Sequence, residues 1–266
     1  MKQKTAGLLL VPMLFIAVAC TAVAGTPPEA PSTPTSVPAV VAPTEILWFP
    51  PTETPAIAAA VTEPPTPERK PGVGELLVAD NMTSSAYWNA SDSGAAAAMV
   101  SERGLTVSAR PGGPPVVALH RSAVFGDMML EMTARPSLCR GRDAYGLVFR
   151  APNELAFYRF VAVCDGLAAV ERLSLGTPRV LQPPTATSDV PVGAPGEVRL
   201  GVWALDSEFR FFLNDRYQFS VIDTNYLAGG IGVFVEAHGD NPAVVTFSDL
   251  KVYRLAPLRS VATAAP

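Results

Sequence analysis

From residue 73 onward, apolar residues recur at every second position in short runs, and Gly, Pro, Asn or Asp interrupts each run. A half-buried strand has this signature, because successive side chains point to opposite faces of a sheet. The pattern predicts thirteen strands, at 76–80, 97–101, 105–109, 116–121, 127–134, 144–150, 156–164, 167–173, 197–205, 208–214, 217–222, 230–237 and 244–254. Pro152, Pro178 and Pro183-Pro184 read as markers of loops between them. No stretch shows a sustained 3.6-residue period with caps. The expected fold is all-β, a two-sheet antiparallel jelly-roll sandwich.

One hairpin joins YGLVFR (145–150) to FYRFV (157–161). A turn at Pro152-Asn153 sets Leu147 beside Tyr158 and Tyr145 beside Phe160. Tyr145, Leu147, Phe149, Tyr158 and Phe160 then share a core face. Val148, Arg150, Phe157, Arg159 and Val161 share the other. Asp165-Gly166 is a hairpin turn signal, and folding there sets Arg172 opposite Arg159. Three arginines on one sheet face require carboxylates or a ligand to match them. The same pairing puts Cys164 opposite about Gly141, close to Cys139 and on its face. Thiols that close bond in an oxidising compartment, so a Cys139–Cys164 disulfide is expected. Two separate buried thiols are the alternative.

Composition adds the parts outside the sandwich. Of 27 prolines, thirteen lie between Thr21 and Gly72, so this stretch cannot pack a core and reads as a disordered, semi-rigid stalk. Ahead of it, Met1-Lys2-Gln3-Lys4 is basic and 6–19 is uncharged and mostly apolar, a signal-peptide pattern too short to span a membrane as an ordinary helix. It ends Ala17-Val18-Ala19-Cys20, which resembles the lipobox of bacterial lipoproteins, although Ala17 stands where that family usually has Leu. The resemblance implies cleavage before Cys20 and acylation there, with palmitate-type chains as the membrane anchor. A plain secretory signal cut near Ala19 or Ala24 is the alternative. The expected organisation is therefore a lipoprotein signal peptide at 1–19, a lipid-anchored Pro/Thr-rich linker at 20–72, the sandwich at 73–255 and a flexible tail at 256–266. The expected location is the cell envelope, facing away from the cytoplasm. The formal charge of −4 lacks the basic footprint that nucleic acid requires.

Three runs resemble a known fold family: YGLVFRAPNELAFYRFVAVCDG, VRLGVWALDSEFRFFLND and GGIGVFVEAHGDNPAVVTFSDLKVYRL. They are similar to the concanavalin A-like lectin/glucanase sandwich, most nearly its laminin G-like and glycosidase-family-16-like members. That resemblance covers about 180 residues and implies fold far more than activity. The glucanases carry a Glu-x-Asp-x-x-Glu strand motif, which this sequence lacks. Glu131, Glu171 and Glu236 stand alone at their strands, and only Glu236 has a close companion, His238. As base and partner these two are the candidate catalytic pair; the other reading is a polar strand end.

A binding site needs less than a catalytic one. Alternation in 197–205 turns Val198, Leu200 and Val202 inward, and Arg199 and Trp203 outward. Trp203 with Arg150, Arg159, Arg172 and Glu236 forms the candidate ligand face, since such sandwiches stack sugars on aromatics and bond their hydroxyls. Packing of Trp203 under a loop, and pairing of the arginines with Glu131 or Asp127, is the structural alternative. Asp80 and Asp249, with Asn81, are oxygen donors suited to calcium; as domain-edge residues they also suit turns or bulges. No cofactor is implied. The expected function is noncatalytic carbohydrate or protein binding by a surface-displayed lipoprotein, reaching the membrane through Cys20 and a glycan or envelope protein through the domain. The alternatives are a glycoside hydrolase acting on an extracellular polysaccharide and a structural module of the envelope.

Overall fold

The computed structural model describes residues 68–88, 96–121 and 124–256. The leader, Cys20 and the proline-rich stretch through residue 67 lie outside these, as do residues 257–266. In chain order the strands are β1 (Val73–Asp80), β2 (Ala96–Ser101), β3 (Gly104–Ala109), β4 (Val116–Leu119), β5 (Met128–Leu138), β6 (Ala144–Asn153), β7 (Ala156–Val163), β8 (Leu167–Ser174), β9 (Thr177–Ala186), β10 (Val198–Leu205), β11 (Glu208–Leu213), β12 (Arg216–Ile222), β13 (Gly230–Glu236) and β14 (Ala243–Leu255). A 3-10 turn at Ser85–Tyr87 is the only helical piece among the described residues.

The strands form two antiparallel sheets packed face to face. The larger runs β12-β11-β10-β5-β14-β3-β2, with β1 also paired to β14. The smaller runs β4-β13-β6-β7-β8-β9. Residues of even parity on β10 and odd parity on β6 meet between them, so Val198, Leu200 and Val202 pack with Tyr145, Leu147 and Phe149. Phe149, Tyr158, Phe160, Phe209 and Phe211 form the aromatic centre, with ring centroids between 4.8 and 6.0 Å apart. Fully burying one such ring contributes roughly 1.5–3 kcal/mol, and truncating it to Ala costs about 3–5 kcal/mol once the cavity is included.

All thirteen expected strands are present, and β9 is a fourteenth. Pro178, Pro183 and Pro184 lie within it rather than in a loop, and Pro152 lies in β6. Proline cannot donate to a ladder and is tolerated where that side faces solvent. β9 is the outermost strand of the smaller sheet and is largely exposed.

The hairpin registers differ from expectation in an informative way. β6 and β7 turn around Glu154-Leu155, so Leu147 pairs with Phe160 and Phe149 with Tyr158. This is a two-residue slip, which leaves every side chain on its expected face. A bulge between Phe149 and Asn153 is the exception: Arg150, at φ 45°, leaves the outer face. The β7–β8 loop takes three residues, Cys164-Asp165-Gly166, with Gly166 at φ 86° where a Cβ would be strained. That odd residue sets Arg159 against Glu171, and Arg172 against Tyr158 on the inner face.

Cys139 and Cys164 form a disulfide, their Cα atoms 5.8 Å apart. It joins the end of β5 in the larger sheet to the end of β7 in the smaller.

Candidate functional site

The outer face of the smaller sheet gathers what the sequence had scattered. Val148, Phe157, Val161, Ala169, Leu173 and Phe234 alternate outward from four strands and form a second, buried apolar cluster. Arg159 stands among them, its guanidinium 4.8 Å from the Phe234 centroid. It donates to Glu171 Oε2 from Nε at 2.7 Å, with Nη2 2.6 Å from the same oxygen, and to Glu236 Oε2 from Nη1 at 2.9 Å. A planar guanidinium fork suits this two-sided clamp, where a lysine would not. To reach Glu236, Arg159 crosses the strand that carries Gly146. A Cβ at Gly146 would lie 3.1 Å from the Phe234 ring and 1.8 Å from the Phe160 carbonyl oxygen, so this position has no room for a side chain.

The accessible part of this face is its polar rim. His238 is 40% exposed by side chain, against 19% for Glu171 and 17% for Glu236. His238 Nε2 lies 3.4 Å from Glu236 Oε1. With His238 neutral, the cluster of one arginine and two carboxylates carries one net negative charge. The loop bearing His238 is held from below by Asp143. This buried carboxylate accepts from the backbone N–H of His238 at 2.9 Å, Gly239 at 3.3 Å and Arg140 at 2.9 Å. Sequence reading did not single out Asp143; an Asp just ahead of a strand carries no distinguishing signal.

Of the five expected ligand-face residues, the structure brings Arg159 and Glu236 together, with Glu171 and His238 beside them. Arg172 faces the core side, where it donates to Asp223 at 2.7 Å. Tyr158 Oη donates to the same carboxylate at 2.6 Å. Burial works to raise the Asp223 carboxyl, but hydrogen bonds from Tyr158, the Asn225 backbone and Arg172 outweigh it and hold it below the usual carboxylate range. Arg150 is fully buried at one end of the sandwich. It donates to the carbonyls of Gly126, Asp206 and Tyr226 and to Asp127, and lies over the Phe209 ring. Burial pushes its ionisation below the arginine norm. It is a clamp on three loops.

Trp203 is on the other sheet. It points outward from β10, as alternation requires, yet is fully buried, because residues 69–72 cross over it and its indole donates to the Pro71 carbonyl at 2.9 Å. Those residues belonged to the linker in the expected organisation. Arg210 lies 4.4 Å over the indole ring.

Asp80 and Asp249 line one shallow hollow of about 490 Å³ with Asn81, Ser84 and Tyr87. Asp80 accepts from Met82 N at 2.7 Å and Trp88 Nε1 at 2.9 Å, and lies 3.4 Å from His120 Nε2. Asp249 sits at φ 57° in the bulge of β14 and accepts from Ser248 Oγ. Among the described residues no three His, Cys, Asp or Glu side chains are grouped to hold a metal ion.

No family profile and no curated protein matches the chain. Solved structures do. A carbohydrate-binding module, CBM66, from Bacillus subtilis aligns with a TM-score of 0.53 at 19% identity, over 65% of this chain and 97% of its own. A Bacillus subtilis protein of unknown function with a galectin-like fold gives 0.49 at 13%, over 68% and 97%. The catalytic domain of a laminarinase, an endo-1,3-β-glucanase from Thermotoga petrophila, gives 0.46 at 8%, over 69% and 98%. The strand order is that of a two-sheet antiparallel β-sandwich, and the likeness to the carbohydrate-binding module is one of fold.

Proposed function

We propose that the domain binds carbohydrate without transforming it, on the outer face of the smaller sheet. The observation that carries the reading is the Arg159 clamp. Glu171 and Glu236 present acceptors at fixed positions, His238 adds an adjustable donor or acceptor, and apolar side chains surround them. The apolar cluster is buried and holds these groups in place, and the fixed polar rim they form suits a ligand that presents hydroxyls. The similarity to a carbohydrate-binding module supports the same reading through the fold.

The test is polysaccharide pull-down and glycan-array binding. Glu171→Ala and His238→Ala each remove a polar partner from the rim. Losing a hydrogen bond to a charged group costs about 1.5–3 kcal/mol, so affinity should fall at least tenfold. Retained affinity in both variants, with unchanged melting temperature, sinks the site. Hydrolysis is the second reading, favoured by two carboxylates meeting on one face. Both are engaged by one guanidinium, which ties up the charge a nucleophile or acid would use. Reducing sugar released from a polysaccharide panel, and abolished in Glu236→Gln, would establish it. Capture of an envelope protein with no glycan binding points instead to an interaction module.

The display context belongs to the same proposal. Acylation at Cys20 would anchor the chain firmly, since two or more acyl chains hold where one is marginal. Incorporation of a palmitate analogue, lost in Cys20→Ser, is the expected result.

A further inference from the structure

Four consecutive residues ahead of β1, Arg69 to Gly72, are held against the larger sheet. The Arg69 guanidinium lies 4.5 Å over the Tyr217 ring, and its carbonyl accepts from Arg210 at 3.2 Å. Lys70 Nζ donates to Glu131 and to Asp215, each at 3.0 Å, and lies 4.8 Å over the Phe212 ring. The Pro71 carbonyl accepts from Trp203, and the Gly72 carbonyl accepts from the Ala256 N–H at 2.8 Å. The side chain of Asp215 also receives Arg199 at 2.6 Å. Its carboxyl is held below the usual range, chiefly by the Lys70 hydrogen bond.

The receiving surface combines three aromatic rings from β10, β11 and β12 with a pair of carboxylates. Without the segment it would present an indole N–H, ring faces and two acids that suit a basic residue between aromatic contacts. We propose that this cradle is an interaction site for an Arg-Lys-Pro segment and that the chain's own residues 69–71 are its occupant. The resulting clip fixes the path of residues 69–72 as they enter β1. Where the smaller sheet is the ligand face, which rests on the reading above, residues 69–71 and the ligand then sit on opposite sheets. The clip itself does not depend on that reading, and failure of glycan binding would leave its test untouched.

Trypsin reads the clip in the full-length chain. The Arg69–Lys70 bond is a tryptic site, whereas Lys70–Pro71 resists because proline follows. The bond after the exposed Arg103, in the β2–β3 turn, serves as internal reference. Cleavage of a locally opened segment follows the population of the open form. The Arg69–Lys70 bond should therefore be cut more slowly than the reference in the wild type. In Glu131→Gln/Asp215→Asn the ratio of the two rates should rise about tenfold, equivalent to about 1.4 kcal/mol. Adding 0.5 M salt, roughly the range that screens such pairs, should raise it in the wild type. Equal rates at the two bonds in the wild type, or a ratio unmoved in the double variant, overturns the proposal. Should the double variant lose its cooperative melt, Lys70→Ala supplies the same readout, since trypsin accepts Ala after Arg69; an unmoved ratio there also overturns it.

Discussion

Opening the Cys139–Cys164 bond should cost the sandwich a calculable share of its stability. The two cysteines are 25 residues apart in sequence. In the chain-entropy treatment, closing a loop of that length lowers the entropy of the unfolded chain enough to stabilise the fold by about 3.5 kcal/mol at 25 °C. For a domain of this size each kcal/mol moves the midpoint by about 2–4 °C, so the expected fall in Tm is about 7–14 °C. The assay is thermal unfolding by circular dichroism on oxidised protein, reduced protein and Cys139→Ala/Cys164→Ala. Reduction removes the cross-link alone. The double variant also removes two buried sulfur atoms, so it should melt slightly lower than the reduced wild type. The bond lies beside the candidate site: the Cys164 N–H donates to the Asp143 carbonyl at 2.9 Å, and the Asp143 carboxylate holds the His238 loop. Amide exchange at His238 and Gly239 should therefore quicken on reduction, ahead of the global melt. A Tm shift under about 3 °C in both reduced and variant protein would refute the loop-entropy reasoning.

Four further outcomes are expected. Arg150→Met should destabilise by about 3–5 kcal/mol in urea unfolding, because three part-buried carbonyls lose the guanidinium they share. Tyr145→Phe should be neutral or raise stability by up to about 1 kcal/mol, since the buried Tyr145 hydroxyl has no hydrogen-bond partner among the described residues. Trp203→Phe should lower stability by about 1 kcal/mol through the lost bond to Pro71, and should leave glycan affinity unchanged because it lies on the other sheet. Acid should weaken the fold in two windows. Burial holds His120 below 6.5 despite the opposing Asp80 charge, so stability is full above that value and falls as pH drops toward the folded His120 pKa. Asp223, held below 3.8, adds a second loss as pH falls below that value. Tm measured between pH 8 and 3 should show both declines, roughly, and the first should vanish in His120→Gln.

Alternation was enough to find thirteen strands and to sort their faces, because burial on one side of a sheet imposes the period directly. It failed at β9, where Pro178, Pro183 and Pro184 obscure a strand that pairs on one side only. It survived a two-residue error between β6 and β7 and could not survive a one-residue error between β7 and β8. Arg159 therefore stayed on the site face while Arg172 did not. The counter-ions of Arg159 were in plain view as Glu171 and Glu236, but their meeting depends on strands 77 positions apart in the chain for one pair. Trp203 shows the same boundary. Its outward direction follows from β10 alone, whereas its cover comes from residues 132 positions away, at Pro71. Local pattern reports direction; long-range packing decides what stands in front.

The prolines of β9 also bear on the domain's behaviour in company. A sheet that ends in an open strand offers a row of unpaired backbone groups on which another chain can template itself, the first step toward aggregation. Three of the ten positions of β9 have no N–H to offer such a visitor. That edge is therefore blunted against strand addition, so copies crowded side by side can collide there without zipping together.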